Sequence, residues 1–411
     1  MLKYWIWLTT RKGLGTRGAY LVIRHFASVE AAYYAKPEEY KSIQGLRSTE
    51  SLQDKSLKEA EQILRACQDK GISVMTMQDA SYPRRLLSLD DPPAVLYYKG
   101  MLPDFSGPVI GVVGTRQASL YGMKQARRMG YGLSHCGAVV VSGGAKGVDS
   151  EAIRGALLGG SPVMAVLGCG VDVVYPAENR SLFRDVENHG CLISEYPPGT
   201  EPRSSNFPVR NRIISGLSLG VLVVEAPAKS GALITAERAL DQGRDVFALP
   251  ANVGQPSGDG NLQLLRDGAI LVRDPWELLQ EYTRQFPEAV KNRDCSSWDS
   301  GAQIAVPEPK QTPDSVPMRK DSDKKAIDKE KNRNYIDAKK IMGNLSPEEQ
   351  QLAALLEAGP VHIDALSEQL QQPAGCVLAL MTMLEVKGYI QRLPGRMFSL
   401  AWAENPSEGA N

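Results

Sequence analysis

Between residues 108 and 275 one pattern repeats: a short apolar run, a glycine at or near its end, then a segment of helix length. The runs are Val109–Val113, Ala138–Val141, Val163–Leu167, Cys191–Ile193, Val221–Val224 and Val246–Leu249. The intervening segments are 119–135, 148–158, 179–189, 209–218 and 231–242. An uninterrupted Val/Ile/Leu run suits a strand buried on both faces. Strands that alternate with helices form a parallel sheet covered on both sides. The pattern predicts an α/β domain over 108–286, Rossmann-like and doubly wound, with a mostly parallel sheet of six or more strands.

The rest of the chain divides by composition. Residues 1–75 read as a small helical module of the SAM or helix-hairpin-helix kind, with apolar residues three or four apart over Arg17–Phe26 and Leu57–Asp69. Gly13-Leu14-Gly15 and Gly45-Leu46 mark tight turns between its helices. Residues 76–107, with Tyr82-Pro83, Pro92-Pro93 and Pro103, read as an extended connector. Residues 287–343 read as a disordered linker, because 21 of the 53 residues from 291 to 343 are charged and apolar residues are few. Residues 344–402 return to a compact pattern, followed by a tail over 403–411. Ser346 and Glu349 have capping-box spacing, helical segments cover 348–357, 363–370 and 374–387, and strands over 389–392 and 396–400 flank a turn at Pro394-Gly395. Three helices and a hairpin make a winged helix.

Composition excludes several function classes. No run approaches the ~18 apolar residues of a membrane span, and the first apolar stretch, Trp5–Leu8, is too short for a secretory signal. A cytoplasmic protein with no membrane partner is expected. The six cysteines are far apart and form no CxxC or Cys/His cluster, so isolated thiols are expected rather than a metal site or disulfide scaffold. Lys+Arg and Asp+Glu both number 47, so a polyanion would have to be held by a local patch.

That patch lies where the strands end. In an open parallel sheet, ligands bind beyond the carboxyl ends of the strands. There the sequence places Gly114-Thr115-Arg116, then Ser142-Gly143-Gly144-Ala145-Lys146-Gly147, then Gly168-Cys169-Gly170, and Lys229-Ser230-Gly231 at a helix start. Glycines admit close approach of backbone to ligand, and amides at a helix N-terminus attract anions. Several such loops with Arg116, Lys146 and Lys229 among them point to a phosphate-bearing ligand. The GxGxxG fingerprint and the P-loop are both absent, as are a Ser/His/Asp triad and metal-ligand spacing, so neither a cofactor nor a metal is expected. Arg203, Arg210 and Arg212 add three cations, with no acid between 202 and 224. Arginine pairs bidentately with phosphate. A sheet-end carboxylate such as Glu195 or Glu225 is the competing partner for any one of them. Phe207, Tyr121 and Tyr175 suit either base stacking or the core.

The runs Val-Gly-Thr-Arg at 113–116, Ser-Gly-Gly-Ala-Lys-Gly-Val-Asp at 142–149 and Leu-Gly-Cys-Gly-Val-Asp-Val-Val-Tyr-Pro at 167–176 resemble the DNA-processing protein A family (DprA, or Smf). So do Ser-Glu-Tyr-Pro-Pro-Gly at 194–199, Phe-Pro-Val-Arg-Asn-Arg-Ile-Ile-Ser-Gly at 207–216 and Lys-Ser-Gly-Ala-Leu-Ile-Thr-Ala at 229–236. The resemblance implies an extended Rossmann fold that binds single-stranded DNA without cutting it, dimerises, protects incoming DNA and delivers it to the RecA recombinase in natural transformation. By motif, it assigns strand contact to Arg116, with Gly114, Ser142, Gly143, Gly144, Lys146, Gly147 and Gly168 lining the pocket and Arg210, Asn211, Arg212, Lys229, Ser230 and Gly231 closing it. The chain departs from the family pattern at Ala152-Ile153 and at Gly258-Asp259-Gly260-Asn261, where Asp259 puts a negative charge on the last loop.

Two further expectations follow. Three phosphate-binding arginines would give a salt slope near −2, at about −0.7 per phosphate on a single strand. The acidic C-terminal module, with 3 basic and 6 acidic residues over 345–400, suits protein contact or autoregulation better than duplex binding. The competing function is hydrolysis of nucleoside monophosphates, with Glu237 as the acid after Ser230-Gly231.

Overall fold

The computed structural model describes residues 1–293 and 295, and a discontinuous set of residues between 352 and 400. It contains two compact units, Met1–Gln311 and Thr312–Asn411.

The first unit opens with five helices: α1 (Leu2–Thr9), α2 (Gly15–His25), α3 (Val29–Tyr34), α4 (Pro37–Lys41) and α5 (Lys58–Asp69). Two of them follow the predicted apolar spacing. The apolar stretch Trp5–Leu8 lies within α1 and is buried nearly all the way round the helix. Gly13, Gly15 and Gly45 all have positive φ at the turns.

The connector does more than extend. It contributes β2 (Val95–Gly100), which pairs antiparallel with β1 (Ser73–Thr76) on one side and with the main sheet on the other. Tyr97 and Leu96 are buried, so the prolines at 92–93 lead into a strand rather than past one. The sheet proper holds β3 (Val109–Val113), β4 (Val139–Ser142), β5 (Val163–Leu167), β6 (Gly190–Ser194), β7 (Gly220–Val223), β8 (Asp245–Ala248) and β9 (Ile270–Leu271). Its order is β1-β2-β6-β5-β4-β3-β7-β8-β9, and all pairs from β6 to β9 are parallel.

Helices cover both faces, as a parallel sheet requires. α6 (Leu120–His135), α7 (Val148–Gly159) and α8 (Arg180–His189) pack on one face, sharing a core with the N-terminal helices. α9 (Asn206–Leu217) and α10 (Gly231–Asp241) pack on the other. The period-two rule sorts β3: Ile110 and Val112 enter the first core, Val109 and Val113 the second. Beyond β8 come α11 (Asp259–Arg266) and α12 (Pro275–Leu279).

The packed chain continues past residue 286. Val290 is buried, and the Lys291 amide donates to the Cys136 carbonyl at 3.1 Å, so the first residues assigned to the linker belong to the domain. The disorder expected for 296–343 lies outside the described residues. Of the six cysteines, the five described are free thiols, and four of these are buried. In the second unit, β11 (Ile390–Leu393) pairs with β12 (Met397–Leu400) as the expected hairpin. A strand not foreseen, β10 (Val361–His362), joins β12 from its other side and leads directly into α13 (Ile363–Leu370). The turn at 394–395 lies outside the described residues, as does most of 374–387.

Candidate functional site

From β3 the chain moves outward through β4, β5 and β6, then returns to lay β7 on the other side of β3. The loops leaving β3 and β7 therefore diverge, which opens a crevice at the carboxyl edge. A cleft of about 600 Å³ occupies it. Among its lining residues are Gly114 and Arg116 after β3, Phe207, Arg210 and Asn211 on α9, and Lys229, Ser230 and Gly231 at the start of α10.

Helical phase explains what α9 contributes. Phe207, Arg210, Asn211 and Ile214 are spaced i, i+3, i+4, i+7, so they share one face, and all four line the cleft. Arg212 is two residues from Arg210, about 200° around the helix. It does not line the cleft, contrary to its sequence assignment. Its Nη2 donates to both Glu195 oxygens at 2.8 and 2.7 Å, and its Nε to Asp91 at 3.1 Å. Arg212 has therefore taken the competing carboxylate. Glu225, the other candidate, accepts instead from Ser119 and Ser257.

Arg210 is buried, and its guanidinium forms the floor of the cleft. Nη1 donates to the carbonyls of Gly143, at 2.8 Å, and Val166, while Nε donates to Asn211 Oδ1 at 3.2 Å. Asp149, at the start of α7, faces it. Burial pushes the Asp149 carboxyl above its ordinary value, against the pull of Arg210, the amides of Ala145 and Gly143, and Arg116. Burial likewise lowers Arg210 to about 10, although Asp149 opposes the shift. Asp149 lay inside a quoted motif without being assigned to the site. Its position in the first turn after a glycine loop was the signal that it faces the strand ends.

The exposed part of the cleft is a cation–aromatic row. The Arg116 guanidinium lies 5.0 Å from the Phe207 ring centre, and Tyr175 stacks on the same ring at 5.6 Å and 28°. Tyr175 is 41% exposed, so one of its faces remains open. Arg116 and Lys229 are exposed and form no ion pair among the described residues. Ser230 caps α10 by accepting from the Ala232 amide.

The remaining assigned residues shape the cleft from outside it. The Ser142 hydroxyl is buried and donates to the Val112 carbonyl at 2.6 Å, which ties β4 to β3. The Gly144 carbonyl accepts from Asn179. Gly143 leaves room for the Arg210 guanidinium, which a Cβ would meet at 2.6 Å. Gly147 has φ +79°, and a Cβ there would meet the Thr115 carbonyl at 2.5 Å, so only glycine lets the β4 loop pass beneath Arg116. A Cβ at Gly168 would lie 2.8 Å from the Phe207 ring, so that glycine makes room for the ring. Lys146 pairs with exposed Glu178 outside the cleft.

The last loop does not line the cleft. Asn261 is fully buried, and its Nδ2 donates to the carbonyls of Val223, Val224 and Leu249, each at 3.0 Å. The loop thus braces the ends of β7 and β8, with Asp259 exposed. Glu237, the acid of the competing hydrolase, is exposed and also outside the cleft. Among the described residues there is no cluster of three or more potential metal ligands and no helix long and apolar enough to cross a membrane.

Known proteins resemble the chain over these same regions. The family model for DNA recombination-mediator protein A matches residues 73–283, and that for the DprA winged helix domain matches 342–396. The first match begins at β1, as the sheet does, and not at residue 108. Protein Smf of Synechocystis sp. is 38% identical over 284 residues, 67% of this chain and 71% of its own length. DNA processing protein DprA of Streptococcus pneumoniae is 43% identical over 204 residues, 50% of this chain and 72% of its own. The X-ray structure of DNA processing protein A from Streptococcus pneumoniae superposes with a TM-score of 0.61 at 36% identity, covering 68% of this chain and 98% of that one.

Proposed function

Since the chain belongs to the DNA recombination-mediator protein A family, we propose that its carboxyl-edge cleft holds single-stranded DNA without cutting it. The observation that carries this reading is the row of Arg116, Phe207 and Tyr175, a cation against stacked aromatic rings, in a cleft that the unpaired Lys229 also lines. Phosphates need the cations and bases need the rings. Of the two forms of DNA, the unpaired strand offers both, because a duplex stacks its bases inward. Stacking on such rings tolerates any sequence and contributes about 1–3 kcal/mol per base.

The salt dependence follows from which cations are free. Arg210 is committed to carbonyls and faces Asp149, and Arg212 to Glu195 and Asp91. Arg203 is exposed but does not line the cleft, so within the cleft Arg116 and Lys229 remain, and the slope on a single strand is about −1.4, at −0.7 per phosphate, rather than the −2 of three arginines. A gel-shift series that compares single- and double-stranded oligonucleotides at several salt concentrations tests this reading. Preference for the single strand with that slope is expected; equal affinity for the duplex, or no salt dependence, overturns it.

In this reading the protein is a cytoplasmic carrier that shields incoming DNA and hands it to the RecA recombinase, acting as a dimer. Two clefts on one strand would raise the effective concentration of the second contact. With Glu237 outside the cleft, incubation with nucleoside monophosphates should release no base.

A further inference from the structure

The segment that leads from β6 into α9, residues 195–205, lacks a core of its own. No residue from Glu195 to Ser205 is buried, yet Pro202 and Ser204 line the cleft from this arm, and the arm delivers the chain to Phe207 and Pro208 at the start of α9. A segment without buried apolar side chains is positioned by its polar ties. Two of these ties lead to the N-terminal helical module.

The first runs through Asp172. Its Oδ2 accepts from Lys70 Nζ, at the end of α5, at 2.6 Å, and its Oδ1 accepts from the Gly199 amide at 2.9 Å. Burial alone would push this carboxyl up; the Lys70 ammonium and the Gly199 amide together hold it below its ordinary value. Alongside, the Gly170 amide donates to the Thr200 carbonyl at 3.0 Å, so the loop that leads to Tyr175 and the arm that leads to Phe207 are joined where Lys70 meets them. The second tie enters where the arm begins, at Glu195. Thr16 Oγ1 on α2 donates to Asp91 at 3.2 Å, Asp91 pairs with Arg212, and Arg212 grips Glu195.

We propose that the N-terminal helical module sets the geometry of the strand cleft through these two clamps, with Lys70, Asp172, Thr16 and Asp91 as positioning residues that do not touch the strand. The proposal rests on the reading of the cleft as a single-strand site. When a clamp is lost, the arm is competent for only a fraction of the time, and apparent affinity falls by that fraction. No phosphate contact is lost, so the salt slope stays the same.

The test uses the full chain and a fluorescent oligo-dT, with anisotropy titrations at several salt concentrations. Lys70→Met and Asp172→Asn are each expected to weaken binding about three- to tenfold at unchanged slope. The double variant should be no weaker than the worse single, Lys70→Arg should recover most of the affinity, and amide exchange over 195–206 should quicken in Lys70→Met. Thr16→Val, in the other clamp, should add its loss to that of Lys70→Met. Wild-type affinity in Lys70→Met overturns the proposal. A slope reduced by about 0.7 also overturns it, since Lys70 would then bind a phosphate itself. An Arg116→Ala control run alongside separates the two ideas: if it binds as the wild type does, the reading of the cleft fails, whatever the clamps do.

Discussion

Replacing Arg210 with Met removes a buried cation and leaves Asp149 in place. The side chain loses its bonds to the Gly143 and Val166 carbonyls and to Asn211, and Asp149 loses the charge that offsets its burial. Leaving one partner of a buried pair alone costs about 3–5 kcal/mol, against a total stability of about 5–15 kcal/mol for a typical domain. Asp149→Asn is expected to cost less, about 1–3 kcal/mol, since Arg210 keeps its carbonyl acceptors. In the double variant neither charge is stranded, so its loss falls well short of the sum of the singles. Urea unfolding midpoints at constant m measure all three. The pH dependence has a definite sign. The folded state raises the Asp149 pKa, and losing Arg210 raises it further, so the folded state of Arg210→Met holds a proton that the unfolded state releases near pH ~3.9. Its stability contribution is therefore intact at low pH and is lost as pH rises from there through the raised value. Additive losses in the cycle, or an Arg210→Met variant that gains stability with rising pH, would refute the coupling of these two groups.

Arg116→Ala should weaken binding to every single-stranded sequence alike and reduce the salt slope by about 0.7, read by anisotropy at several salt concentrations. Phe207→Ala should lose about 1–3 kcal/mol of binding with the slope unchanged, because it removes a ring and no charge. Gly168→Val forces the Phe207 ring aside and should mimic Phe207→Ala in binding without adding to it in the double variant. Gly147→Ala combines a positive φ with backbone contact and should cost more than 1 kcal/mol of stability in urea unfolding.

The central sheet was legible because its strands are buried on both faces. Val109–Val113 and Val163–Leu167 are apolar throughout, and these two strands have the bounds their runs predicted, while the other four differ by a residue at their ends. β2 escaped because its apolar run follows two prolines and pairs antiparallel at the flank of the sheet, so although it too ends in a glycine, Gly100, no crossover helix follows to mark it as part of the strand–helix alternation. The cleft was legible as a place, since glycine loops at the strand ends can gather only at the carboxyl edge. Which side chains enter it was not legible from charge alone. Arg210 and Arg212 look equivalent as a cluster, and only the helical phase of α9 separates them. Ser142 and Gly168 looked like ligand contacts because they lie in the right loops, yet one joins two strands and the other makes room for a ring.

Charge also explains why placement has to matter here. With 47 basic and 47 acidic residues the protein has little field with which to steer a polyanion from a distance. The cleft offers two unpaired cations, Arg116 and Lys229, and contains an acid of its own, Asp149. Its grip therefore depends on contacts made at short range, by a guanidinium held over a ring and a ring held against a tyrosine. Such contacts weaken quickly with displacement, whereas a diffuse basic surface would tolerate it. A site of this kind gains more from a rigid wall than from another lysine. Two of the arm's ties run to the N-terminal helices through Asp172 and Arg212, and they add no further charge to the cleft.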